Sequence, residues 1–188
     1  MPLSKPTAED QRKLHAEVTQ ITNQRFLLTL FAITTFGVMQ GWILPQVPHS
    51  PGADVGGFVF WISIILCFIL FFLFLLNHSL GQVQRIFTSY LIVTGASIWE
   101  QDWKQYRQEF RTFAYTKPFT FYVFVVLEIA ATALPFIWPD VYGLRLAPVS
   151  GAIALGILGL LMALIMMMLT FTSKGENIAL SNWEKLNK

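Results

Sequence analysis

Glu128 lies inside the run FTFYVFVVLEIAATALPFIW, residues 119–138, with Phe, Val and Leu before it and Ile and Ala after it. A carboxyl facing hydrocarbon at that depth is costly, so it must face protein, water or another subunit. Desolvation favours its neutral form unless a cation lies close, and no other apolar run offers a cation at the same depth. A protonated Glu128 that donates a hydrogen bond inward is therefore expected. Thr34, Thr35, Gln40 and Ser63 are the polar residues in neighbouring runs that could receive it. Two readings of this polar site, Glu128 with Thr34, Thr35 and Gln40, stay open. It is either a proton- or ion-responsive group or a hydrogen-bonding element that ties helices together.

Other residue types that carry chemistry are scattered. His15, His49 and His78 fall in separate segments, so no pair can ligate a metal or haem from facing helices at one depth. The single cysteine, Cys67, lies in an apolar run and reads as a small packing residue. Asp54 and Asp140 are isolated, and Asn77 with His78 reads as the polar end of a span. There is no P-loop, dinucleotide fingerprint, HExxH or GxSxG pattern. These observations predict a noncatalytic protein with no metal and no cofactor.

The elements that must hold Glu128 follow from composition. Of 188 residues, 54% are hydrophobic and 13% charged, and 17 are Phe, where a soluble domain carries about 25% charged residues. Mean hydropathy is +0.54. Four apolar runs, 26–44, 58–76, 119–138 and 147–172, approach or exceed the roughly 20 residues that a helix needs to cross about 30 Å of hydrocarbon. Some 25 mostly polar residues precede the first of them, as in a retained span and unlike a cleaved leader.

Lys and Arg enrichment marks the cytoplasmic flanks of spans. Lys5, Arg12, Lys13 and Arg25 precede the first run; Arg85, Lys104, Arg107, Arg111 and Lys117 lie between the second and third; Lys174, Lys185 and Lys188 follow the fourth. Only Arg145, of 13 basic residues, falls elsewhere. The expected fold is thus an all-α integral membrane protein, a single domain of four transmembrane helices with both termini inside. Its expected location is a cell membrane, and compactness suggests a bacterial inner membrane. A net charge of +2 gives no reason to expect nucleic-acid binding.

Residues 1–25 form a cytoplasmic lead, with Thr7 as N-cap, Glu9 and Asp10 in the first turn, and Leu14, Val18 and Ile21 at helical spacing. The connection 79–117 contains two helical pieces with a break near Gly95. In the second piece Trp99, Trp103, Tyr106 and Phe110 form an aromatic stripe flanked by Lys104, Arg107 and Arg111. That pattern suits either the inner leaflet or the protein's own cytoplasmic helices. Residues 173–188 are a cytoplasmic tail.

Small residues mark packing seams, because they let helix backbones approach in lipid. Gly37 and Gly41 form one on the first span, and Ala152, Gly156, Gly159 and Ala163 another on the fourth. The second span has few small residues and is expected at the lipid-facing periphery. Taken together, the features predict an anchor, sensor or regulator in a homo-oligomer or larger complex, in contact with the bilayer and with a cytoplasmic protein. The alternative is an oligomeric ion-conducting pore, serving stress response or defence, with Glu128 near the path.

Overall fold

The computed structural model describes residues 6–43, 55–96, 105, 119–139, 149–172 and 175–186. Among the described residues, five helices can be delimited: α1 (Ala8–Ile43), α2 (Val55–Val93), α3 (Phe119–Ile137), α4 (Val149–Thr172) and α5 (Gly175–Leu186). Among the described residues there is no strand. The aromatic stripe from Trp99 to Phe110, with Lys104, Arg107 and Arg111, lies outside the described residues.

Three helices, over Trp61–Val93, Phe119–Ile137 and Val149–Thr170, are long and apolar enough to cross a membrane. Large apolar side chains point outward along them, including Phe68 and Phe72 on α2, Val126 and Ile129 on α3, and Leu160 and Leu164 on α4. A water-facing surface would not carry so much contiguous apolar area. The chain has the character of a multi-pass membrane protein. The second half of α1 is also apolar, and it exposes Phe26, Phe31, Val38 and Trp42.

α1 begins where its sequence provides a cap. The Thr7 hydroxyl accepts from the Asp10 N–H at 3.2 Å, and the Asp10 carboxylate accepts from the Thr7 N–H at 3.1 Å and the Thr7 hydroxyl at 2.6 Å. Two backbone donors that the first turn leaves open are satisfied reciprocally. These bonds hold the Asp10 carboxyl below its ordinary range, the side-chain hydroxyl contributing most and the backbone N–H next.

α2 differs from its expected form. A single helix of 39 residues, about 58 Å at 1.5 Å per residue, runs through the expected gap at 77 and 78 and replaces a span followed by a separate helix. Asn77 and His78 do not end it, because polar side chains leave the backbone ladder intact, and Asn77 turns its amide toward α1 (below). The stop comes near Gly95, as its sequence suggests. Gly95 has φ 64°; its N–H donates to Ile92 O at 3.2 Å and the Ala96 N–H to Leu91 O at 3.1 Å. That pair of bonds is a Schellman cap, whose left-handed residue is cheapest as glycine.

Contacts divide the chain into two units. The apolar unit comprises residues 28–75 and 120–169. Its core joins Ala32 of α1, Leu66, Cys67, Leu70, Leu73 and Phe74 of α2, Phe121, Phe124 and Ala131 of α3, and Leu155, Met162 and Met166 of α4. Phe74 meets Phe121 at 6.5 Å and, edge to face, Phe124 at 6.0 Å. Such a pair contributes about 0.5–1.5 kcal/mol beyond its area.

The placement of α2 corrects the expectation of a lipid-facing periphery. Leu66, Cys67 and Leu70 have no exposed surface, and 44% of an 18-residue apolar stretch of α2 is buried against 28% for the corresponding stretches of α3 and α4. Small residues are one way to bring helices together. Interdigitated Leu and Phe, with close-range dispersion as the attraction, are another.

The second unit comprises residues 1–27, 76–119 and 170–188. Its described part contains the first half of α1, the end of α2, and α5, a helix within the segment expected to be a plain tail. The Trp183 indole N–H donates to Ile86 O at 3.3 Å, its ring meets Tyr90 edge to face at 5.0 Å, and Leu180 is buried.

Candidate functional site

Glu128 is the tenth of the 19 residues of α3, half-way along a helix about as long as the hydrocarbon is thick. Its helical face also carries Phe121, Phe124, Ala131 and Pro135, all buried, so the carboxyl points into the core. It has no exposed surface. Neither Oε1 nor Oε2 has a hydrogen-bond partner among the described residues. Among the described residues, the inward hydrogen bond expected from the sequence, to Thr34, Thr35, Gln40 or Ser63, is not seen. Thr34 is exposed, and its hydroxyl donates to Leu30 O at 2.9 Å, a bond inside its own helix. Thr35 and Gln40 are half-buried on α1, and Ser63 is buried on α2.

Two groups stand by Glu128 that the sequence did not single out as its neighbours. Thr132, one turn further along α3, donates its hydroxyl to the Glu128 backbone carbonyl at 2.9 Å. The Cys67 thiol of α2 lies 3.7 Å from the same hydroxyl. Cys67 is also the polar group that interacts with the carboxyl, through a thiol contact looser than an ordinary hydrogen bond. Cys67 is the only cysteine in the chain and has no exposed surface. The site is thus a carboxyl, a thiol and a hydroxyl enclosed by Phe, Leu and Met.

α4 closes on this site through its small residues. A Cβ built at Gly159 would collide with Oγ1 and Cγ2 of Thr132 and come within 2.8 Å of its Cβ. Only glycine permits that approach, so Gly159 fixes how near α4 comes to the turn after Glu128. At Gly156 an added Cβ would be in ordinary contact, 3.6 Å from the ring of Phe136. Ala163 is buried and Ala152 half-buried. Gly37 and Gly41 are different. A Cβ at either position would have no neighbour within 4 Å.

A second polar centre, in the other unit, surrounds Arg25. Its Nε donates to Asn77 Oδ1 at 3.2 Å and its Nη1 to Gln84 Oε1 at 2.7 Å. Asn77 returns a bond from Nδ2 to Arg25 O at 3.0 Å, and Gln84 one from Nε2 to the Thr22 hydroxyl at 3.1 Å. Gly81 lies below the guanidinium, where a Cβ would stand 3.2 Å from Cζ. Asn77, Gly81 and Gln84 recur at four and three along α2, which aligns them on one face. The sequence marks Arg25 only as a flanking charge, and this spacing is the signal that places a polar cradle opposite it.

Among the described residues no three His, Cys, Asp or Glu converge on a metal position. No protein-family model, curated protein or solved structure matches the chain.

Proposed function

We propose that this chain is a noncatalytic multi-pass membrane component, an anchor, sensor or regulator that works within a homo-oligomer or larger complex. The observation that carries the reading is the helical unit built from polar extensions of the membrane helices: Arg25 seated on Asn77 and Gln84, and α5 seated through Trp183 on Ile86 and Tyr90. A chain that only filled the bilayer would have no need of it. The exposed apolar residues Phe26 to Trp42 of α1 support a fourth crossing. With the distribution of Lys and Arg, four crossings put both termini and the polar unit on the cytoplasmic face, where a soluble partner or the inner leaflet would be met.

Extraction of the full chain from native membranes in mild detergent, followed by mass determination, tests the reading. A homo-oligomer or a stoichiometric companion is expected, and Trp183→Ala should lower recovery of a companion that binds the polar unit. A strict monomer with no companion removes the reading's support. A fluorescent reporter that matures only in the cytoplasm should light at either terminus. A dark carboxy-terminal fusion would mean an odd number of crossings and no fourth span.

The two unpartnered oxygens of Glu128 favour a second reading, an oligomeric ion-conducting pore. In liposomes it would give a cation flux that Glu128→Gln reduces. No flux from either protein, with the oligomer intact, would sink that idea.

A further inference from the structure

The groups that face Glu128 can be named helix by helix. From α2 comes the Cys67 thiol, and from α3 itself the Thr132 hydroxyl, already committed to the Glu128 carbonyl. The buried residues that α4 adds to the core, Leu155, Met162 and Met166, and Ala32 from α1, carry no charge. A carboxylate enclosed in this way would lose its hydration and, among the described residues, gain at most a weak thiol donor in return. Metal ions need several ligands at once, and no such cluster is found among the described residues. A proton needs one oxygen and no added volume.

We propose that Glu128 is an intramembrane proton-binding site, holding its proton while α2, α3 and α4 are packed together and releasing it when that packing opens to water. The inference is independent of whether the protein anchors a partner or conducts ions. Its sign follows from linkage. The packed state carries one more proton than the opened state, so opening becomes more favourable as pH rises, by up to about tenfold per pH unit.

Cys67 supplies a native reporter, because it is the sole cysteine, is fully buried, and borders Glu128. In the full chain in bilayers, N-ethylmaleimide reaches Cys67 only when the packing opens. The thiolate fraction itself rises about tenfold per pH unit below the thiol's titration. Multiplied by the opening equilibrium, wild-type labelling should rise about a hundredfold per pH unit between roughly pH 6 and pH 8. Glu128→Gln, which cannot release the proton, should retain only the tenfold dependence of the thiol.

A wild-type slope of about tenfold overturns the proposal, and so do equal slopes in wild type and Glu128→Gln. Should the variant fail to fold, wild type alone decides through its slope and through the infrared carbonyl band of a protonated carboxyl. That band should be present at neutral pH. Its absence also overturns the proposal.

Discussion

Arg25 and Glu128 are ionisable side chains within or beside apolar stretches of their helices, and their surroundings treat them in opposite ways. Arg25 is half-buried and rests on two amides, Asn77 and Gln84, each of which also bonds back to α1. Glu128 is wholly buried, and among the described residues its oxygens meet no donor stronger than the Cys67 thiol. The first arrangement keeps a charge by replacing its water with fixed dipoles. The second offers no dipoles, only a thiol and a committed hydroxyl, so it suits a group that can shed its charge. A guanidinium cannot do this, and a carboxyl can.

The sharpest way to break this contrast is to replace each group by methionine in the full chain and follow unfolding in micelles or bicelles. Arg25→Met removes the guanidinium donor from two amide oxygens and should destabilise by about 1–3 kcal/mol. Glu128→Met removes two unpartnered oxygens from an apolar core and should stabilise by a similar amount, about 1–3 kcal/mol. If both changes destabilise alike, Glu128 has native interactions and the contrast fails.

Gly159→Ala probes the Glu128 side alone. One added methyl would press on Thr132 and drive α4 from α3, at a cost of about 1–2 kcal/mol, toward the low end for overpacking. Thr132→Ala in the same chain should recover part of that loss, and an additive pair of effects would mean that the two residues do not touch. Gly37→Ala should change little within one chain, where nothing stands opposite. A marked loss of oligomer in that variant would give the first glycine seam its partner.

The smallest expected effect lies at the start of α1. The Asp10 carboxyl titrates below its ordinary value of 3.8 in the folded chain, so its contribution to the cap is complete above that value and fades as pH falls through the lowered one. Hydrogen exchange of the first turn should speed up on acidification through this window in wild type and lose that dependence in Asp10→Asn. Exchange with the same acid response in both would place the titration elsewhere.

Much of this was legible in the residues themselves. One acid in a 20-residue apolar run announces Glu128, a threonine three residues before an acid announces the cap, and a glycine after a helical pattern announces the end of α2. Such features depend on neighbours within a turn or two. The cradle of Arg25 is 52 and 59 residues away in the chain, and the seat of Trp183 is 97 residues away. Pairings of that kind are set by how helices meet. The burial of α2 is illegible for a related reason: its Leu and Phe look alike whether they face lipid or other side chains, because both environments are apolar.

The cap between Thr7 and Asp10 has a consequence for the order of events during synthesis. All its bonds join residues three apart, so it needs nothing from the rest of the chain. Helix initiation is the slow and unfavourable part of forming a helix, and a cap offsets some of that cost. Short helices relax within about a microsecond, whereas ribosomes add roughly 5–20 residues per second. The lead of α1 can therefore coil and uncoil many times between one residue and the next, and a wound first turn is available before any later helix exists to pack against it.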